Sequence, residues 1–579
     1  MTGEKLNPAT FDRTDLTDRH EGPLVLPHDV LFHRLHFLAL NSKTSAVKDA
    51  FRELDMDYQQ LLTDVIAARN RIRSTIAPKT LQSIYDKRET SFIVIAHGYE
   101  FVVAFLAVLA LGGIAVPTSI HITKEELNHM LRTSRASATI CSSNCLDQAR
   151  SALPAKAMEE EYVLVSMNGL IRHTSIDPRK VTFSSGKTPD ANKPGLIIFT
   201  SGSTGPPKGA ALRRYNLFVL SILHCWSKNI QPGYVALNML PTHHATGLLV
   251  NTLPVLVGGG CVEFTHPKFD AARIWDRIRL GGINMLSAVP TIYVRLLQHW
   301  ETVLQKLEPE MRESYQAAIS SIEQFHCGSA ALQVHISEKW TKLCRGRQIA
   351  ERYGGTEFGN PFAHESTSSV ITGSVGAQNP GIESFLKHGD EGEVFVRSPF
   401  LFCKSVVPWS LDDNSDANLQ RYVYDIEATE NALTKDGFFK TGDVAEKHGQ
   451  NYYIKGRKSI DILKSGGYKI SALDVERQIL EHPKIAEAIV VGVNDAEYGQ
   501  RIAAAVVLNE GVEPLTLIEL RSDLRGKLST YKLPTLLRVV PQLQKTASMK
   551  VPKLLVKKEL FGNMDCPEIQ KWTPTRSKL

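Results

Sequence analysis

Between residues 91 and 200 short apolar runs alternate with helical segments, and this alternation narrows the fold more than any other feature of the chain. Phe92-Ile93-Val94-Ile95 reads as a buried strand, residues 101–111 as a helix stopped by Gly112-Gly113, and Ile114-Ala115-Val116-Pro117 as the next strand. Strands joined through a helix pair in parallel and carry their helices on the sheet faces. The pattern continues through Ala138-Thr139-Ile140, Tyr162-Val163-Leu164-Val165 and residues 195–199. Residues 101–117 are the most apolar stretch, yet they fall short of the roughly 20 residues that cross a bilayer. They read as a buried core helix.

At 579 residues the chain exceeds a single core, and two to four domains are expected. Phe51, Leu54, Tyr58, Leu61, Leu62, Val65 and Ile66 recur at helical spacing. Residues 173–194 read as a loop, 235–240 as a strand, 292–307 as a helix and 404–423 as an irregular surface insertion. Near Gly456 the character changes to a smaller α+β pattern, with strands at 488–493 and 502–508 and helices at 472–480 and 517–528. The reading is therefore α/β. A large N-terminal domain of stacked, mostly parallel sheets spans 1–456, a hinge 457–460, and a small mobile α+β domain 461–579.

Composition mainly excludes. A net charge of +6, with no dominant basic block, gives no reason to expect nucleic acid. Eight cysteines are scattered, and Cys141 and Cys145 lack a second pair to complete a zinc site, so reduced thiols are expected. The polar first 21 residues are no secretory signal. The terminal Ser577-Lys578-Leu579 is a receptor-read peroxisomal address, so the expected location is the peroxisomal matrix and the expected partner its import receptor.

The strand ending at Phe199 runs into Thr200-Ser201-Gly202-Ser203-Thr204-Gly205-Pro206-Pro207-Lys208. Small residues let backbone N–H groups close on an anion, hydroxyls add donors, and Lys208 adds a mobile charge. This is not a Walker A loop, because Lys208 follows proline and precedes Gly209. Further on stand Pro241-Thr242-His243-His244-Ala245-Thr246-Gly247, Gly328-Ser329-Ala330-Ala331, Glu351-Arg352-Tyr353-Gly354-Gly355-Thr356-Glu357, Lys440-Thr441-Gly442-Asp443, Gly456-Arg457 and Lys545-Thr546-Ala547-Ser548-Met549-Lys550. In this order, over residues 91–555, they resemble the adenylate-forming enzymes: acyl-CoA synthetases, luciferases and peptide-synthetase adenylation domains.

The resemblance implies a role for each position. Thr200, Ser201, Gly202, Ser203, Thr204, Gly205 and Lys208 would hold ATP phosphates. Tyr353 and Gly354 would border adenine, Thr356 bond the α-phosphate, Glu357 ligate Mg²⁺, and Asp443 and Arg457 hold the ribose. His244, Gly328 and Ser329 would line the acyl pocket, with His243 the less certain of the two histidines. Lys464, Gly466 and Gly467 would face CoA, and Lys550 would stabilise the adenylation transition state. The chain departs from the pattern at Met549, where glycine is usual, and by one extra residue before Lys464, so the hinge is Ser459 or Ile460. The implied activity is an acid:CoA ligase using ATP, CoA and Mg²⁺ on a small-molecule carboxylic acid, with neither a nucleic-acid partner nor a transmembrane segment. Local texture is similar to the malonyl-CoA-synthetase and medium-chain branch and to fungal ligases of specialised (toxin) metabolism. Arg295 is either a second-carboxylate ligand or a solvent residue. The alternatives are a malonyl-CoA-synthetase-type dicarboxylate ligase, a luciferase-like oxygenase and a catalytically dead ATP-binding protein; His243-His244 disfavours a peptide-synthetase module.

Overall fold

The alternation between residues 91 and 200 builds a parallel sheet. The computed structural model describes residues 16–17, 22–85, 90–153, 162–171, 174–184, 190–200, 207–364, 370–402, 426–466, 468–496, 498–545 and 551–572. The chain forms two compact units, Met1–Asp270 with Phe400–Thr429, and Ala271–Pro399 with Glu430–Leu579.

In the first unit β1 (Ser45–Asp49) and β2 (Leu54–Asp57) precede α1 (Tyr58–Thr75). Then come β3 (Ser91–Ile95), α2 (Gly98–Leu111), β4 (Ile114–Thr118), β5 (Ala138–Cys141), β6 (Val163–Ser166), β7 (Pro194–Thr200), β8 (Lys208–Arg213), β9 (Val235–Asn238) and β10 (Cys261–Phe264). One sheet runs β8-β7-β4-β3-β5-β6, parallel except for the antiparallel β7–β8 hairpin. In the same unit β9, β10, β1 and β2 pair in that order, with only β1–β2 antiparallel. Every residue of α2 is buried, as expected of a helix apolar on all sides, and Gly112 closes it in the left-handed conformation. Among the described residues no helix is long and apolar enough to cross a membrane.

Two expectations need correction in this unit. Phe51 and Leu54 do not join the helix. The Asp49 carboxylate accepts the Phe51 and Arg52 N–H groups in a turn, Leu54 starts β2, and the helix begins only where Asp57 caps Gln60 N–H at 2.7 Å. The loop expected at 173–194 contains the strand Thr182–Ser184, which pairs with Val25–Pro27 and buries Phe183 completely. Pairing from a distant segment is invisible to local pattern.

The second unit holds β11 (Met285–Ala288), α3 (Pro290–Thr302), β12 (Gln324–Cys327), β13 (Ile349–Gly355), β14 (Gly359–Ala363) and β15 (Ala377–Gln378). Here β11, β12 and β13 are parallel neighbours, and β13-β14-β15 continue antiparallel. An antiparallel meander follows: β16 (Glu383–Leu386), β17 (Glu391–Arg397), β18 (Phe439–His448) and β19 (Asn451–Arg457). The helix expected at 292–307 stops at Thr302, and Leu304–Lys306 adds one 3₁₀ turn. The insertion expected at 404–423 lies outside the described residues.

Beyond Arg457 the unit carries β20 (Ile462–Ser465), β21 (Tyr468–Ser471), α4 (Ala472–Ile479), β22 (Ile485–Asp495), β23 (Gly499–Leu508), α5 (Leu517–Leu524), β24 (Leu536–Val539), α6 (Lys553–Phe561) and β25 (Gln570–Lys571). The strands run β21-β20-β23-β24-β25, with β22 also on β23. Alternation divides the apolar residues of β22 and β23. Val490, Ile502 and Ala504 pack with α4 and α5 residues, and Val491, Ala503 and Ala505 with Val556 and Phe561 of α6. The α+β character read near Gly456 thus holds, though the helix expected at 517–528 ends at Leu524.

Candidate active site

In the first unit β7 and β8, which flank the sequence expected to hold phosphate, pair as an antiparallel hairpin. Thr200 pairs with Lys208 across it, and the Thr200 hydroxyl donates to Lys208 O at 3.4 Å. Ser201, Gly202, Ser203, Thr204 and Gly205 lie outside the described residues. His129 Nε2 lies 2.7 Å from Pro207 O, at the far end of the loop. His243 and His244 follow β9, at the end of a parallel strand where α/β sheets bind ligands. Their ring centroids are 4.5 Å apart. Burial, His244 and His97 together push the His243 imidazole down to about 3, so it is neutral at any physiological pH. A π-helical turn, Thr246–Thr252, follows directly.

In the second unit Thr356 and Glu357 occupy the turn of the β13–β14 hairpin. Gly354 makes this turn possible, because a Cβ there would lie 2.3 Å from Gly359 O. Tyr353 is buried beside Phe362, with ring centroids 5.6 Å apart, and donates its hydroxyl to Asp443 Oδ2 at 2.7 Å. Arg457, opposite Asp443 in the β18–β19 register, donates Nε–H to Asp443 Oδ1 at 3.1 Å. Tyr353, Asp443 and Arg457 therefore form one hydrogen-bonded group. Burial pushes the Asp443 carboxyl up, against the pull of Arg457 and Tyr353. Burial also works against the Arg457 charge, but Asp443 and Glu357 outweigh it and hold the guanidinium above its ordinary value. Among the described residues no three His, Cys, Asp or Glu side chains gather into a self-sufficient metal site. The Glu357 carboxylate, which also faces Arg457, is the type of hard oxygen donor that would help to hold a magnesium ion.

The ends of β11, β12 and β13 hold a residue to which the sequence reading gave no role. Arg352 is half-buried on β13 and donates Nη2–H to Ser287 Oγ of β11 at 3.0 Å. Its side chain lies along Gly328, where a Cβ would come within 3.1 Å of Arg352 Cγ. Burial pulls the guanidinium down to about 10, so it stays charged, and no carboxylate among the described residues pairs with it. The signal was present in the quoted Glu351-Arg352-Tyr353, but only geometry separates the two charges. Glu351 points the other way, accepts Leu332 N–H at 2.9 Å, and burial raises its carboxyl to about 7. Ser329 holds a left-handed backbone, φ 68°, a strained conformation for serine that is found at ligand-facing turns. Arg295 stands exposed on α3.

Of the remaining expected residues, Lys464 is exposed on β20 with its N–H on Gln500 Oε1 at 2.8 Å, and Gly466 N–H donates to Tyr498 O at 2.9 Å. Gly467, Lys550, Ser577, Lys578 and Leu579 lie outside the described residues. The seven described cysteines are free thiols.

Comparison with known proteins places the chain in a family. The AMP-binding enzyme family matches residues 81–403, more than half of the chain, and the AMP-binding enzyme C-terminal domain matches residues 474–550. A mitochondrial malonate–CoA ligase of Mus musculus is 32% identical over 499 residues, covering 80% of each chain. A CoA ligase of Gibberella moniliformis is 30% identical over 609 residues, covering 93% of this chain and 96% of its own. Among solved structures, ATP-bound MatB from Rhodopseudomonas palustris shares the fold with a TM-score of 0.73, over 92% of this chain and 99% of its own, at 24% identity. The chain therefore belongs to the AMP-binding enzymes, as an AMP-forming acid–CoA ligase that uses ATP, CoA and Mg²⁺.

Proposed function

We propose that this ligase activates a short acid bearing a second carboxylate, and that Arg352 reads that carboxylate. One observation carries the reading: a half-buried guanidinium whose hydrogen bond goes to a hydroxyl, beside Gly328 and Ser329, with no carboxylate among the described residues to neutralise it. Placing a cation out of water without a counter-charge is costly, and a bidentate carboxylate is the ligand that offsets it. The Mus musculus relative, named a malonate–CoA ligase, supports the same substrate class.

In the proposed mechanism the other carboxylate attacks the α-phosphorus of ATP. The bond to pyrophosphate breaks, and acyl-adenylate forms. Residues 200–205 with Lys208 hold the leaving phosphates. Asp443, with Arg457, orients the ribose, and Tyr353 and Gly354 border the adenine. Thr356 donates to the α-phosphate, and Lys550 meets the charge that grows there. Bound at Glu357, magnesium supplies charge neutralisation on the triphosphate. Domain 461–579 then swings about the hinge 457–460, bringing Lys464, Gly466 and Gly467 to the site. The CoA thiol displaces AMP to give the thioester. Neutral His243, with His244 beside it, lines the acyl side.

Pyrophosphate release should be at least tenfold faster with malonate or succinate than with hexanoate or benzoate, and R352M should abolish that ratio. R295M tests the residue to which the sequence pointed. If R295M levels the ratio and R352M leaves it, Arg295 is the ligand. Faster release with hexanoate would sink the dicarboxylate reading and favour a medium-chain acid of specialised (toxin) metabolism. The Ser577-Lys578-Leu579 ending supports peroxisomal import. A reporter carrying it should enter peroxisomes, and a cytosolic or mitochondrial signal would reject the address.

A further inference from the structure

Residues 458–461 form the turn that joins β19 to β20. Lys458 N–H donates to Gly442 O at 2.8 Å, which ties the entry of the turn to β18. Asp461 O accepts Ala472 N–H at 2.7 Å, which ties its exit to α4. Ser459 and Ile460 lie between these two ties. The Asp461 carboxylate reaches back across them, with Oδ2 accepting Arg457 N–H at 2.8 Å. It packs so closely on Gly456 (φ 119°) that a Cβ there would lie 2.4 Å from Asp461 Cβ.

The other oxygen, Asp461 Oδ1, lies 2.5 Å from Lys553 Nζ, the first residue of α6. The same ammonium lies 2.7 Å from Glu476 Oε1 of α4, which in turn accepts Val490 N–H at 2.7 Å. The side chains of Lys553, Asp461 and Glu476 are only 10, 14 and 11% exposed. One buried cation thus joins the hinge turn, α4 and the start of α6. A paired charge inside a protein holds its geometry tightly, because any displacement leaves one partner desolvated and alone.

We propose that Lys553 is a positioning residue for adenylation: it fixes the start of α6 to the hinge through Asp461 and to α4 through Glu476. This rests on the proposed role of Lys550. Lys550 precedes Lys553 by three positions, so chain connectivity alone keeps their Cα atoms within about 11 Å. The anchor therefore limits where the adenylation lysine is carried when the hinge turns. Thioester formation, in the mechanism proposed above, draws instead on Lys464, Gly466 and Gly467.

The test compares wild type with K553M, K553R and D461N. ATP–pyrophosphate exchange is followed with whichever of malonate, succinate, hexanoate and benzoate the wild type uses fastest, and thioester formation is followed from the matching acyl-adenylate. K553M should lower exchange at least tenfold and thioester formation less than twofold, and K553R should restore exchange to within threefold. Hydrogen exchange read by mass spectrometry should rise in the K553M peptides that contain Arg457–Asp461 and the start of α6. Equal loss in both half-reactions, or unchanged protection at the hinge, overturns the proposal. Should K553M fail to fold, D461N keeps an oxygen for Arg457 N–H while removing the charge that faces Lys553. It should show the same selective loss, and an unselective loss overturns the proposal equally. K550A separates the two ideas: full exchange activity in K550A refutes the underlying role of Lys550, whereas the hinge-protection result stands or falls on Lys553 alone.

Discussion

Among the basic side chains that the second unit draws away from water, Lys553 and Arg352 are treated oppositely. Lys553 is enclosed by two carboxylates, Asp461 at 2.5 Å and Glu476 at 2.7 Å. Burial lowers its affinity for a proton, but Glu476 and Asp461 outweigh that and hold the ammonium above its ordinary value. Arg352 has a serine hydroxyl at 3.0 Å and no carboxylate among the described residues, and burial prevails, down to about 10. A compensated buried charge is architecture, since its energy is already balanced inside the chain. An uncompensated one stores electrostatic free energy that a ligand can release. On the readings proposed above, Lys553 holds the chain and Arg352 holds the substrate.

The largest effect expected from this contrast is on stability. K553M leaves Asp461 and Glu476 buried without their cation and should destabilise the protein by about 3–5 kcal/mol. Denaturant unfolding followed by circular dichroism measures it, and a loss below about 1 kcal/mol would break the contrast on the Lys553 side. R352M should do the reverse. It removes a cation that nothing neutralises, so stability should move by less than about 1 kcal/mol, while kcat/KM for the dicarboxylate should drop by about 2–4 kcal/mol, roughly 30- to 1,000-fold. A large stability loss with intact kcat/KM would make Arg352 architecture too.

The sequence reading found the parallel sheet and the α+β segment because both rest on local periodicity, which residues 91–200 and 472–508 carry plainly. It singled out the Tyr353, Thr356, Glu357, Asp443 and Arg457 positions through motif order, and the fold brings Tyr353, Asp443 and Arg457 into one hydrogen-bonded group. It passed over Arg352 and Lys553 for one reason. Whether a charge is compensated depends on partners 65 to 92 positions away, at Ser287, Glu476 and Asp461, and no window along the chain contains both members. The same limit hid the strand Thr182–Ser184, whose partner is Val25–Pro27.

Glu351 offers a third way to handle a buried charge, and it sharpens the comparison through pH. A carboxyl can escape the cost of burial by keeping its proton, which arginine cannot do. Burial raises Glu351 to about 7, against backbone N–H bonds from Leu332 and Gly373 and the charge of Arg477. The folded state therefore binds this proton more tightly than the unfolded chain does. Stability should be highest below the unfolded value, near 4.5, and fall as pH rises to about 7, by up to about 3 kcal/mol, then level off. E351Q cannot ionise, so its urea midpoint should change less between pH 5 and pH 8 than that of the wild type. Equal slopes in the two proteins would show that Glu351 is ionised throughout.

The smallest effect bears on the hydroxyl that holds Arg352. Ser287 Oγ fixes one edge of the guanidinium, and S287A leaves the charge in place but removes that support. If Arg352 grips a substrate carboxylate, its orientation matters only to acids that have one to offer. S287A should then raise KM for malonate about fivefold, near 1 kcal/mol, with kcat nearly unchanged, because a ground-state contact that persists in the transition state contributes to binding alone. KM for hexanoate should not move. If Ser287 and Arg352 only brace β11 against β13, both acids would suffer alike, since a shifted strand cannot distinguish them. The ratio of the two KM changes thus asks of one hydroxyl what R352M asks of the whole side chain, in a variant that keeps the charge.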